Sequence, residues 1–130
     1  MSDVLVDSSV WIDFFRGRKE AVRRVDPLLE QNRAATIPIL VAEVTSGARS
    51  RAVFDELREH FSALVMATQP DDLWERVAET RFTLARQGRQ CHLVDLAIAH
   101  AAAYSGQLLL TRDRDFESIA AALGLDLDLF

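Results

Sequence analysis

Residues 4–17 read VLVDSSVWIDFFRG. Val4 to Val6 is a short apolar run without polar alternation, and it reads as a strand buried on both faces. Asp7 follows at once. Ser8 and Ser9 are then placed to cap a short helix that carries Val10, Trp11, Phe14 and Phe15 on one side and stops near Gly17. Strand, polar turn and amphipathic helix make the first half of a βαβ unit, and the unit recurs. Apolar runs at Ala35 to Ile37, Ala63 to Met66 and Leu108 to Thr111 are separated by stretches of helical periodicity. The pattern predicts an α/β fold around a mainly parallel sheet, whose functional groups collect at the carboxyl ends of the strands.

The intervening helices are marked by their ends. Glu20 to Gln31 is amphipathic, with Val22, Val25, Leu28 and Leu29 inward; Pro38 suits the first position of a helix over Ile39 to Ala48, and Ser50 to His60 forms another. Pro70, Asp71 and Asp72 open a long helix ending near Gly88, with Leu73, Val77, Phe82 and Leu84 among its apolar positions. Leu93 to Tyr104 is apolar almost all round and reads as a buried central helix stopped by Gly106. Phe116 to Leu123 makes a last short helix before an edge strand at the C-terminus.

The 130 residues, 49% hydrophobic and 27% charged, carry no linker, repeat or low-complexity tract, and read as one domain over 1–130. Cys91 is the only cysteine, so no internal disulfide forms and Cys-rich zinc modules are excluded. The opening residues lack a basic region leading into a long apolar one, and no apolar stretch reaches membrane-spanning length, so a cytoplasmic protein without a membrane segment is expected. The net charge of −5 is the reverse of the basic footprint of a nucleic-acid coat. An enzyme that meets phosphates through bound cations escapes that exclusion, because carboxylates filled with divalent metal invert their local charge.

Four acidic positions fall where such a site would be built. Asp7 ends the first strand and is either a turn or cap residue or a ligand. Glu43 lies about one turn into the helix after the second strand; the helix dipole accounts for it, yet Leu40, Val44 and Gly47 beside it put it at the border of the inward face. Asp95 shares its face with Ile98, Ala99 and Ala102, where an acid is either a cap or a charge satisfied by a cation. Asp113 and Asp115 follow Thr111 where a buried strand leaves the sheet, and one helix cap accounts for only one of them. If the first and penultimate strands lie side by side, these acids meet. All-oxygen ligands select Mg²⁺ or Mn²⁺ over zinc, and the chemistry that follows is metal-assisted phosphodiester hydrolysis with no histidine base.

The chain resembles PIN-domain ribonucleases, and among them the VapC-type toxins of bacterial toxin–antitoxin pairs. Residues 4–17, then Ala42-Glu43-Val44 with Gly47-Ala48-Arg49-Ser50, then Asp95-Leu96-Ala97-Ile98-Ala99, then Leu110-Thr111-Arg112-Asp113-Arg114-Asp115-Phe116 carry the resemblance in order, over essentially the whole chain. It implies a Rossmann-like three-layer α/β/α PIN domain and an endoribonuclease dependent on Mg²⁺ or Mn²⁺. It also implies a homodimer, a cognate antitoxin that neutralises it, and an RNA substrate of which tRNA, with its exposed loops, is one type. Asp7, Glu43, Asp95 and Asp113 would form the acidic cluster. Thr111 would orient water or a carboxylate, Ser8 or Ser9 would hydrogen-bond within the site, and Asp115 would either ligate metal or cap a helix. Val94 stands where many relatives have proline before the third acid.

Two other classes compete. A phosphoacceptor receiver domain also holds Mg²⁺ in an acidic pocket, but it needs a lysine at the end of its last strands, and the only lysine here is Lys19. A noncatalytic interaction module would use Trp11, Phe14 or Phe15 on a partner, although aromatic residues this close together read first as core. His60 and His92 flank expected loops and read as exposed; His100 reads as a hydrogen-bonded core residue. All but one of the 15 basic residues are arginine, and Arg16, Arg18, Arg49, Arg51, Arg112 and Arg114 border the acidic motifs, where they either grip an RNA backbone or form solvated surface.

Overall fold

A computed structural model describes residues 2–130. Its elements run β1 (Val4–Val6), α1 (Ser8–Phe15), α2 (Lys19–Glu30), β2 (Ala34–Thr36), α3 (Pro38–Ser46), α4 (Arg51–Ser62), β3 (Val65–Met66), α5 (Leu73–Arg86), α6 (Leu93–Ser105), β4 (Leu108–Thr111), α7 (Phe116–Leu123) and β5 (Leu127–Leu129). The five strands form one sheet in the order β3-β2-β1-β4-β5, and every pairing is parallel, including that of the C-terminal edge strand. The sheet is thus wholly parallel rather than mainly so. The chain builds outward through β2 and β3 and then returns to the other side of β1, so the order reverses between β1 and β4. A crevice opens at that reversal.

Side chains alternate between the two faces. Val4 and Val6 join Trp11, Val25, Leu28 and Phe61 on one side, whereas Leu5 and Leu109 join Leu96, Ile98 and Phe116 on the other. This is the expected α/β/α layering, with both faces of the sheet covered. Among the described residues no helix is long and apolar enough to cross a membrane.

Local chemistry explains where boundaries moved. Pro38 opens α3 and leaves Ile37 extended at φ −137°, so β2 ends at Thr36, one residue earlier than its apolar pattern suggested. Helix α4 runs on to Ser62 and leaves only Val65 and Met66 for β3. Ser50 does cap α4, its hydroxyl accepting from the Val53 N–H at 3.2 Å. Helix α6 begins at Leu93, and Val94 packs against the core. Gly106 ends α6 at φ +68°, a left-handed conformation that favours glycine.

Two aromatic expectations needed correction. Phe82 points away from the buried stripe of Leu73, Val77 and Leu84 and lies exposed under the Arg86 guanidinium, 4.4 Å from the ring centre. His60 is half-buried rather than exposed, because α4 delivers it into an aromatic cluster. Its ring meets those of Trp11, Phe15 and Phe61 at 5.0–5.1 Å, and burial holds its pKa below the ordinary value. Within the aromatic run of α1, Trp11 is core, Phe14 is half-buried and Phe15 is exposed. His100 is hydrogen-bonded as expected, its Nε2 2.8 Å from the Thr80 hydroxyl.

Trp11 fastens α1 to α4, and its truncation leaves a cavity among fixed rings. Trp11→Ala is expected to lower unfolding free energy by about 3–5 kcal/mol, read from the urea midpoint; a loss under about 1 kcal/mol would mean that α1 is held by other contacts.

Candidate functional site

Asp7 leaves β1 at the reversal and is 3% exposed. It occupies the N-cap position of α1, yet its side chain makes no capping hydrogen bond. The carboxylate serves the neighbouring strand instead: Oδ2 accepts from the Thr111 hydroxyl and from the Ser9 hydroxyl, each at 2.8 Å. Thr111 is fully buried, and its oxygen also accepts the Asp113 N–H at 3.0 Å. Ser9 accepts the Arg112 N–H at 3.1 Å. The two hydroxyls therefore hold the Asp7 carboxylate and the backbone after β4 in one arrangement. Of the paired serines, Ser9 is the one bonded to Asp7, whereas the Ser8 hydroxyl faces Glu43. Neither serine caps α1.

The turn after β4 brings in two more acids. Asp113 Oδ1 accepts the Asp115 N–H at 2.9 Å, which bends the chain so that Asp115 faces back. Asp115 stands at the N-cap of α7 without a side-chain capping bond, so capping does not account for it. Asp95 comes from the first turn of α6. One carboxylate oxygen from each of Asp95, Asp113 and Asp115 lies within 4.8 Å of the other two. Asp7 and Glu43 line the same cavity, of about 520 Å³, without joining that closest group. Glu43, expected at the border of the inward face, is exposed at the open side of the cavity, and it lies beyond the first turn of α3, where the dipole accounts for little.

The electrostatics show an unbalanced group. Asp95 is pushed up from 3.8 to about 6, first by burial and then by the charges of Asp7 and Asp113, with a smaller push from Asp115 and a countering pull from His92. Glu43, although the residue as a whole is exposed, sets its carboxyl against the cavity wall; partial loss of water raises its pKa first, then Asp7 and Asp95, with the Ser8 hydroxyl acting against the shift. Arginines do not neutralise the acids. Arg112, the nearest in sequence, turns outward to Asp13 at 3.2 Å and Glu20 at 3.0 Å and stacks on Phe130.

The cavity has walls that motif reading passed over. Ile12 lies one turn beyond Ser8 on α1, and His92 lies one turn before Asp95, and both face the acids. Helical spacing from the acidic motifs was the available signal for each. His92 is exposed, as expected, but at the mouth of the cavity rather than in an uninvolved loop.

The PIN domain family model matches residues 4–122. Ribonuclease VapC5 of Mycobacterium tuberculosis is 30% identical over 129 residues, 95% of this chain and 92% of that one. Ribonuclease VapC21 of the same species is 35% identical over 111 residues, 82% of this chain and 80% of that one. Among solved structures, a chain of DNA-bound VapBC from Salmonella typhimurium superposes with a TM-score of 0.79 at 23% identity, covering 98% of both chains, which bears on the fold.

Asp95 gives the cluster a measurable signature. With a folded pKa above the unfolded one, it favours the fold below about pH 3.8, and that advantage is lost as pH rises through about 6. In EDTA at pH 7.5, Asp95→Asn should therefore melt above the wild type, and the difference should vanish near pH 4; equal melting temperatures at both pH values would show that the acids do not strain one another.

Proposed function

The chain belongs to the PIN-domain family, and we propose that it is a metal-dependent endoribonuclease, the toxin of a toxin–antitoxin pair. The observation that carries this reading is the convergence of Asp95, Asp113 and Asp115 beside the hydrogen-bonded Asp7 at the crevice between β1 and β4. Two relatives that align over most of the chain are named ribonucleases. A chain 27% identical over 90% of this one belongs to a toxin–antitoxin complex from Klebsiella pneumoniae.

The residues suit a hard divalent cation. Every donor is a carboxylate oxygen, burial and then the neighbouring acids raise the pKa of Asp95, and no thiol or imidazole enters the closest group. Asp95, Asp113 and Asp115 would hold Mg²⁺ or Mn²⁺, with Asp7 and Glu43 completing the cavity. When bound, the cation supplies positive charge that activates water and stabilises the phosphoryl group under attack. Thr111 and Ser9 donate to Asp7 and fix the direction of its free oxygen, so that this carboxylate enters the site already oriented. The N-termini of α1, α6 and α7 point the positive ends of their dipoles at the same edge, which favours both the carboxylates and an incoming phosphate.

The substrate is RNA, with loop-bearing RNAs such as tRNA in the class that presents an accessible backbone. A cognate antitoxin neutralises the enzyme, two copies form the working unit, and the chain acts as one PIN domain in the cytoplasm. The receiver-domain alternative loses its chemistry here, because Lys19 begins α2 and does not line the acidic cavity.

Wild-type protein should cleave RNA with Mg²⁺ or Mn²⁺, lose that activity in EDTA and regain it on readdition. Asp7→Asn and Asp95→Asn should each reduce cleavage at least about 100-fold while keeping the circular dichroism of the wild type. Sequencing RNA ends after brief expression would identify the cut sites; cleavage by either variant at the wild-type rate would remove the acids from the mechanism.

A further inference from the structure

The acidic cavity borders two further hollows. On one side it shares Ile12 and Glu43 with a groove of about 800 Å³ between α1, α3 and α4, whose lining includes Arg16 and Arg49. On the other it shares His92, Asp95 and Asp115 with a polar hollow of about 370 Å³, on which Arg114 lies. The arginines around the site fall into two groups. Arg18, Arg51 and Arg112 are engaged in ion pairs with Asp13, Asp55 and Glu20 respectively. Arg16, Arg49 and Arg114 are exposed and have no ion-pair partner among the described residues.

We propose that Arg16 and Arg49 on one shoulder of the acidic cavity, and Arg114 on the other, hold RNA phosphates, so that a single strand runs along the three hollows across the β1–β4 edge. The inference rests on the ribonuclease reading and adds the path of its substrate. Three observations converge on a strand rather than a small molecule. The three hollows adjoin through shared walls, unpaired cations flank the acids on both sides, and guanidinium groups suit phosphate oxygens. In the wider groove Ile12 and Phe15, 41% and 42% exposed, offer an apolar surface on which a base can lie. A duplex would need a broad basic face, whereas the hollows that carry these arginines are also lined by Glu43, Glu56, Asp95, Asp115 and Glu117. The strand is instead held at its shoulders, and its scissile phosphate is presented between them to the acids that would hold the cation.

The test uses the full chain and a single-stranded RNA oligonucleotide, with cleavage measured in Mg²⁺ and binding measured by anisotropy in the noncleaving Asp7→Asn background. Arg16→Ala and Arg49→Ala should each raise KM about tenfold with kcat unchanged. Each should also reduce the slope of log affinity against log salt by about 0.7. Arg114→Ala should weaken binding similarly, and Lys at any of the three should restore part of the loss. Arg51→Ala, which removes an ion-paired arginine, should leave both readings unchanged. Cleavage by the wild type with KM and salt slope unaltered in the Arg16→Ala, Arg49→Ala double variant would overturn the path while leaving the ribonuclease reading intact. So would a double variant that loses only its grip on a partner protein, since the groove would then be a protein-docking surface. A wild type that neither binds nor cleaves RNA overturns both.

Discussion

Parallel pairing of β1 with β4 brings residues from opposite ends of the sequence into register, Val4 against Leu108, Leu5 against Leu109 and Val6 against Leu110. One step further on, the same register sets Asp7 beside Thr111, and the 2.8 Å hydrogen bond between them closes the crevice. Helices α1 and α7 start from these two strand ends, and α6 starts facing them. If the pairing slipped by one residue, the apolar side chains of both strands would turn to the wrong layer and the hydroxyl would leave the carboxylate. The two cores therefore fix the chemistry as firmly as they fix the fold.

The arrangement stores a local cost. Asp95 stands in the first turn of a helix, a position the dipole favours, and is still driven up to about 6 by burial and its acidic neighbours. Order elsewhere holds the acids in place. Trp11, packed among Phe14, Phe61 and His60, anchors the helix that carries Ser9, and Arg112 ties the turn after β4 to α1 and α2 through Asp13 and Glu20. Exposed ion pairs of this kind add little to global stability, and their effect here is to hold a turn in position.

Strand and helix identities were legible because short apolar runs end abruptly in polar residues and because Gly106 and Pro38 mark helix ends. Asp7, Asp95 and Asp113 were legible for the same reason, each lying where an apolar element meets a turn. Strand order was not, since the pairing of β1 with β4 is a contact between distant parts of the chain; the sequence poses it only as the condition under which the acids meet. Asp115 could not be separated from a helix cap until the Asp113 turn was seen to bend it inward. Glu43 borders the inward face in sequence because its neighbours are apolar, yet it is exposed, since the space in front of it is the open cavity. His60 was misread because the cluster that encloses it comes mainly from α1, far away in sequence.

The hydrogen bond between Thr111 and Asp7 spans 104 residues. During synthesis the first acid emerges early, while the strand and turn that orient it and supply Asp113 and Asp115 arrive only after most of these residues have been made. Translation thus becomes a timer. Before β4 has left the exit tunnel and found β1, a nascent chain carries Asp7, Glu43 and Asp95 but neither the hydroxyl that orients the first of them nor the last two acids of the group.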